Sequence, residues 1–331
     1  MTFAKLPPEF MNRRAVMASL AALGLPFGVQ AQAAWPNRTV KIIDAAAPGG
    51  STDIMARMVA NKLAPRLGQS FVVENKPGAG MTMATDFVSR AAPDGHTMLL
   101  ASTGMCIAAA SGKKLPYDYL KDLRAVAQIG ITPLIIVVAA DSKVKTLRDL
   151  VDMARAKPGE VRYSSSGIAS MSHIGMELLG SVAKVKMLHV PYRGVSLSIP
   201  DLLSGEVHCA LGTVATYSAL LDSGKMRAIA VASPQRSTLL PNVPSAAESG
   251  LPDYSVEFWW GLMAPAGVPT DVVRRINAEV NTVLGDADTK ESMLKLAGVP
   301  RAVSPEEFAR INAFEVDRWG RLMRDANIQV E

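Results

Sequence analysis

The sequence predicts an α/β protein of two lobes, and three observations carry that expectation. Strand-like apolar runs alternate with amphipathic, helix-like segments along most of the 331 residues. The stretch "LRAVAQIGITPLIIVVAA" at 123–140 is too long for one ordinary strand and is interrupted by "GITP". A second such stretch, "VEFWWGLMAPAG" at 256–267, follows the proline-spaced segment "LPNVPSAAESGLPDY". Alternating strands and helices favour parallel sheets joined by helical crossovers. One long run leaving a first sheet and another returning to it make a hinge between two lobes.

The chain opens with Asn12, Arg13 and Arg14 ahead of an apolar run from Ala15 to Val29 and the small-residue site Ala31-Gln32-Ala33. That pattern reads as a secretory leader cleaved near Ala33, because a membrane span needs ~20 apolar residues and this run is shorter. General secretion is the default route, with twin-arginine export as the alternative. No cysteine stands at the cleavage point to carry a lipid, so a soluble exported protein is expected.

In "TVKIID", Val40 and Ile42 alternate as on a strand, and Ile54, Met55, Met58, Val59 and Leu63 then recur at helical spacing. "SFVVEN" reads as a second strand, "KPGAGMT" as a loop, Ala84 to Arg90 as a short helix and "HTMLLAS" as a third strand. The chain is expected to cross near Thr132. Thr146 and Asp149 are spaced as a capping box for a helix from Leu147 to Ala156, closed by "KPGE". There follow the strand "VRYSSS", a loop, a helix through Ile174, Leu178 and Leu179, the strand "MLHVPY", a helix over Ile199 to Leu203, and the strands "EVHCALG" and "MRAIAVAS". After the return run come a helix from Thr270 to Leu284 and a last one opened by Ser304, Pro305 and Glu307, with Ile311, Phe314, Leu322 and Met323 on its apolar face. The expected division is leader 1–33, a discontinuous first lobe of 34–132 plus 256–331, and a second lobe of 133–255.

Composition narrows the function. The chain is 49% hydrophobic and 20% charged with a net charge of +5, basic residues are scattered and aromatics make up 5%, so no nucleic-acid surface is expected. Cys106, Cys209 and the four histidines match no zinc spacing, and neither a metal nor a cofactor is expected. The two cysteines lie in apolar stretches, where a buried free thiol and, in an oxidising compartment, a disulfide are both open. No G-x-S-x-G, H-E-x-x-H, G-x-G-x-x-G or P-loop pattern occurs, so an enzyme is not expected; a secreted hydrolase is the alternative.

Two loops between a strand and a helix carry the chemistry: "APGGSTD" at 47–53 and "SSSGIASMSH" at 164–173. The first N–H groups of a helix lack intrahelical partners, and small residues let a carboxylate approach them. A helix end contributes ~0.3–1 kcal/mol to an anion and each hydrogen bond to a charged group about 1.5–3 kcal/mol. Ser51 or Thr52 and Ser170 or Ser172 are the candidate caps; caps and turns alone would also explain the serines and glycines. Arg193 in "VPYRG" reads as a clamp or as a solvated charge, Arg57 as half of a surface ion pair, His173 as a loop-packing residue, and Trp259 and Trp260 as core residues or as the floor of an aromatic pocket.

"WPNRTVKIIDAAAPGGSTDIMAR", "VVENKPGAG", "APDGHTMLL", "LPYDYLKDL", "YSSSGIASMSH", "HVPYRG", "LPNVPSAAESGLPDY" and "GLMAPAGVP" together resemble the substrate-binding proteins of tripartite tricarboxylate transporters, the Bug family, from Trp35 essentially to the C-terminus. The resemblance implies a two-lobed periplasmic-binding-protein (Venus-flytrap) fold of two α/β sandwich lobes joined by two crossing strands. It also implies a periplasmic monomer that passes a small organic acid, a di- or tricarboxylate or an aromatic carboxylate, to the membrane components of such a transporter. A receptor that feeds a sensor is the alternative. Carried over residue by residue, the family's binding positions fall on Ala47, Gly49, Gly50 and Ser51, on Ser166, Gly167, Ala169 and Ser170, and on Ser102 and Thr103. The sequence departs from the family at Ala46, where a bulky aromatic is common, and at Gly212, where aspartate or asparagine is common. Those departures imply a less polar pocket and an apolar or aromatic acid as cargo.

Overall fold

The computed structural model describes residues 35–328 apart from Ala47, Gly50 and Arg193; the leader and its cleavage position lie outside the described residues. Strand β1 (Val40–Asp44) is followed by helix α1 (Ser51–Leu67), β2 (Phe71–Asn75), a 3₁₀ turn (Ala79–Met81), α2 (Thr82–Ser89) and β3 (Thr97–Ser102). β2 and β3 pair in parallel on either side of β1. Because β1 is covered on both faces, Val40, Ile42 and Ile43 are all fully buried and strict alternation is lost. The buried stripe of α1 runs through Met55, Ala56, Val59, Ala60 and Leu63, whereas Ile54, expected on that face, is exposed. Helix α3 (Thr103–Ala110) follows β3 directly. Its sequence "TGMCIAAA" is nearly apolar throughout, so periodicity gives no warning of it.

β4 (Leu123–Ala139) is one 17-residue strand with two sets of partners. Its next neighbours in the chain are α4 (Leu147–Ala156), β5 (Arg162–Ser165), α5 (Met171–Ala183), β6 (Leu188–Pro191), a 3₁₀ turn (Val195–Ser198) and α6 (Ile199–Ser204). β7 (Cys209–Thr213), α7 (Val214–Asp222), β8 (Met226–Val231) and β9 (Glu257–Pro265) come next. From Leu123 to Pro133, β4 pairs antiparallel with β9; from Leu134 onward it lies between β7 and β8. β5 joins β7 and β6 in parallel. The sheet order is therefore β2-β1-β3-β9-β4-β7-β5-β6, a two-lobed α/β fold stitched by β4 going out and β9 coming back. An outgoing and a returning strand must run antiparallel, which is why the sheets are mixed and not purely parallel as the alternation suggests.

The chain ends in α8 (Thr270–Gly285), α9 (Ala287–Lys295), β10 (Val299–Pro300, paired with β4) and α10 (Pro305–Asp325). The helix starts expected from the sequence form as spaced. Thr146 Oγ1 accepts from Asp149 N–H at 3.1 Å while the Asp149 carboxylate accepts from Thr146 N–H at 2.9 Å, and Ser304 Oγ accepts from Glu307 N–H at 3.1 Å. The inward face of α10 is corrected: Phe314 is exposed, and the buried stripe is Phe308, Asn312, Glu315, Trp319 and Leu322. Two polar residues disguise that stripe. Asn312 accepts from Tyr119 Oη at 2.7 Å and donates to Phe308 O, so its amide is satisfied where it is buried. Cys106 and Cys209 are buried free thiols. Among the described residues no helix is long and apolar enough to cross a membrane.

Trp259 and Trp260 point to opposite faces of β9 into separate cores, Trp259 edge-on to Phe308 at 5.1 Å and Trp260 edge-on to Phe258 at 5.4 Å. Gly261 lets α10 close on this strand: a Cβ there would stand 2.3 Å from Phe308 Cζ and 2.9 Å from the Ala127 carbonyl. Overpacking such a site costs about 1–3 kcal/mol. Gly261→Ala is expected to lower the denaturant unfolding midpoint accordingly; an unchanged midpoint would mean that α10 can back away freely.

Candidate functional site

The first loop is braced from beneath by a polar network that joins three elements. Asp44, at the end of β1, accepts from Ala46 N–H at 3.1 Å; Asp53, in the first turn of α1, accepts from Gly49 N–H at 2.9 Å. Asn75, ending β2, donates to Asp44, to Ala46 O and to Asp53. Arg57 pairs with Asp53 at 2.9 Å and donates to Asn75 Oδ1. The Arg57 hydrogen bond holds the Asp53 carboxyl down to about 2, while burial pushes Asp44 up to about 6. Ala46 is half-buried and Gly49 and Ser51 are exposed. Ala47, Gly50 and the candidate clamp Arg193 lie outside the described residues.

The second loop has a brace of aromatic rings. Ser170 caps α5 by accepting from His173 N–H, and Ser166, Ser170 and Ser172 share hydroxyl contacts at 3.1–3.3 Å. Ser166 N–H donates to Ser172 Oγ, Gly167 N–H to Ser165 Oγ, and Ala169 N–H to His173 Nδ1 at 3.0 Å. His173 stacks on His189 with centroids 3.7 Å apart, and His189 stacks on Tyr163 and brings Nε2 within 2.6 Å of Ser165 Oγ. Burial, then the neighbouring His189, pulls His173 down to about 4; burial lowers His189 as well. The ring of His173 is thus a neutral acceptor.

Three further positions are occupied by the fold itself. Thr103 Oγ1 is buried, donating to Glu257 O and accepting from Trp259 N–H at 2.9 Å, so it clasps β9 to α3; Ser102 is buried beside Met81. At Gly212 a Cβ would meet Tyr217 Cε2 at 2.7 Å. The buried Tyr217 ring fills the space that a family side chain would take.

A cavity of about 360 Å³ opens between the two lobes. From the first lobe it is lined by Ala79–Thr82 and by α3 and the segment after it; from the second by Ile168, Ala169 and Ser170. Three non-glycine residues on its wall hold left-handed backbone: Ala79 (φ 46°), Met81 (φ 73°) and Ala169 (φ 57°). Each such residue costs of order 1–3 kcal/mol, and strain of this kind clusters at functional sites. Of the residues singled out from the sequence, the cavity wall includes Ala169 and Ser170; it also includes Met81, Ile107, Lys113, Leu115 and Ile168, which the sequence reading missed. "PGAG" at 77–80 was legible as a loop, but nothing in its composition says that it faces residue 169.

Residues 55–328 match the tripartite tricarboxylate transporter family receptor. The chain is 34% identical over 321 residues, 96% of each protein, to a protein from the tcbD-tcbE intergenic region of Pseudomonas sp. (strain P51). Among solved structures it is similar to R. palustris Rpa4515 with adipate (TM-score 0.76, 30% identity, 89% of this chain and 99% of that one). It is similar also to the periplasmic binding protein BugD (TM-score 0.73, 29% identity, 90% of this chain and 100% of that one).

The braces of the two loops titrate in opposite senses. His173 falls from 6.5 to about 4 on folding, so its contribution is fully present above pH 6.5 and is lost as pH falls toward 4, when protonation removes the acceptor of Ala169 N–H. Asp44 rises from 3.8 to about 6, so its contribution weakens as pH rises through that window. His173→Asn keeps an acceptor without the titration. The melting temperature of the wild type is expected to fall relative to His173→Asn between pH 6.5 and 4; parallel pH curves would remove His173 as the titrating brace.

Proposed function

Because the chain belongs to the tripartite tricarboxylate transporter receptor family, a family of substrate-binding receptors and not enzymes, we propose that it captures a small organic carboxylate in the cleft between its lobes. It would do so in the periplasm, after export and cleavage near Ala33, and would then present the acid to the membrane components of a tripartite transporter. The observation that carries this reading is the cavity shared by both lobes, with three strained residues converging on its wall. The relative solved with adipate supports a carboxylate as the class of cargo.

Ala46, Ala47, Gly49, Gly50 and Ser51 are proposed as the first-lobe side of the cradle, with Ser102 and Thr103 behind them. Ser166, Gly167, Ala169 and Ser170 are proposed as the second-lobe side, with Arg193 and Gly212 as further candidate positions. The N–H groups of Ala46, Gly49, Ser166, Gly167 and Ala169 are engaged within the loops. Direct contact with the ligand therefore falls to the serine hydroxyls and to the first-turn N–H groups of α1 and α5. The proposed lobe bodies are 34–132 with 256–331, and 133–255. A ligand that touches both only when they are closed shifts the hinge toward the closed state, since only differential contact can move that equilibrium.

A thermal-shift titration with mono- and dicarboxylates tests this. Saturating acid is expected to raise the melting temperature by an amount that grows as RT ln(1 + [L]/Kd), about 2.7 kcal/mol at a hundredfold excess over Kd. Ile168 is 55% exposed on the cavity wall, so its replacement removes little buried packing. Ile168→Glu is expected to fold normally and to abolish the shift by setting a like charge in the cavity. A full response in that variant would move the site elsewhere.

A further inference from the structure

The second-lobe loop is held at two points, and both holds lead back to one side chain outside it; this inference rests on the receptor reading above. The first hold is at Gly167, whose φ of 134° is one that glycine adopts readily and other residues do not. Ser165 Oγ accepts from Gly167 N–H at 3.1 Å and donates to Gly167 O at 3.0 Å. The second hold is at Ala169, whose N–H donates to His173 Nδ1. His189 meets both: its Nε2 lies 2.6 Å from Ser165 Oγ, and its ring lies flat on the His173 ring, 3.7 Å away with 9° between the planes. Strand β6 brings it there, since His189 stands beside Tyr163 in the parallel pairing with β5. It is half-buried and does not line the cavity.

We propose that His189 is a positioning residue for the bound carboxylate. A hydroxyl has one proton to donate. With the Ser165 proton directed to Gly167 O, the contact to His189 is a hydrogen bond only when His189 carries its proton on Nε2 and donates it. A proton on Nδ1 instead would draw the hydroxyl proton to Nε2 and release Gly167 O. His189 Nε2–H therefore orients Ser165, Ser165 holds Gly167, and the loop presents its serine hydroxyls and the first-turn N–H groups of α5 to the anion in one arrangement. Gly167 and Ala169 both have positive φ, a backbone that a loop without these holds would share with several others. An acid that binds only the competent arrangement loses affinity in proportion to the fraction that departs from it.

Isothermal titration calorimetry on the purified protein tests this, with whichever of adipate, malate, benzoate and hexanoate the wild type binds most tightly. His189→Phe keeps a flat ring against His173 but has no Nε2–H, and is expected to weaken binding about tenfold, the effect of one hydrogen bond. His189→Gln can donate to Ser165 Oγ from its amide and is expected to stay within about threefold of the wild type. Ser165→Ala is expected to weaken binding as much as His189→Phe, and the double variant no more than either single one, because both remove the same link. A merely structural role would make the losses add and follow the unliganded melting temperatures, with no recovery in His189→Gln. Additive losses, a His189→Gln variant as weak as His189→Phe, or a His189→Phe variant that binds like the wild type overturns the inference and leaves the receptor reading standing. Failure of all four acids to bind the wild type overturns the receptor reading and the inference with it.

Discussion

The antiparallel pairing of β4 with β9 is the contact on which the rest of the molecule depends. β4 is a single strand whose hydrogen bonds pass from β9 to β7 and β8 between Pro133 and Leu134. The two strands cannot slide independently, because adjacent tryptophans of β9 are sunk into cores on opposite faces of the sheet. A one-residue slip would exchange those faces and drive each indole into a core packed for a different residue. Thr103 adds a side-chain clasp at the start of β9. The pairing fixes the register of the two strands that cross between the lobes.

In the two strand-to-helix loops the N–H groups of Ala46, Gly49, Ser166, Gly167 and Ala169 find acceptors within the protein itself. In the first, the acceptors are two carboxylates that an amide and a guanidinium hold in place; in the second, they are hydroxyls and an imidazole backed by stacked rings. A buried amide without an acceptor would be costly, so these internal partners favour the loop shapes described. Binding then orders little backbone, and the association free energy is diminished less by lost conformational freedom. Between pH 6.5 and 4 acid acts on the two braces with opposite sign, because protonation favours the buried Asp44 carboxyl in the first and opposes the buried His173 ring in the second.

Much of the fold was legible because its determinants are local. The box at Thr146 and Asp149, the cap at Ser304, the strand runs and the two crossings depend on residues close in sequence, and the motif resemblance named the family on that basis. What escaped was set by contacts between distant segments. Asn75 ends an ordinary strand in the sequence, yet it is the hub that joins Asp44 to Asp53. His189 sits in an unremarkable "LHVP", yet it backs the ring that holds Ala169. Gly212 read as a missing polar group that leaves the pocket less polar, and nothing in the sequence signalled that the Tyr217 ring packs directly over it. α10 hid its inward face because Asn312 and Glu315 break the apolar period.

Strain ties the braces to the site. Ala79, Met81 and Ala169 adopt backbone that glycine would adopt more readily, and all three line one cavity although two segments nearly ninety residues apart supply them. For Ala169 the restraint is visible, since its N–H is tied to His173. For Met81 the restraint comes from Thr85, whose hydroxyl donates to Met81 O at 2.9 Å, and from the fit of its side chain over Gly104. A glycine at either position would relieve the backbone but remove the apolar wall. Left-handed residues with side chains give the cavity both a tight turn and carbon surface at the same point. Met81 adds adaptability, because an unbranched thioether can repack around ligands of slightly different outline. The receptor thus couples a rigid, self-satisfied polar frame to a compliant apolar lining, the combination expected of a site that fixes a carboxylate and tolerates variation in what the carboxylate is attached to.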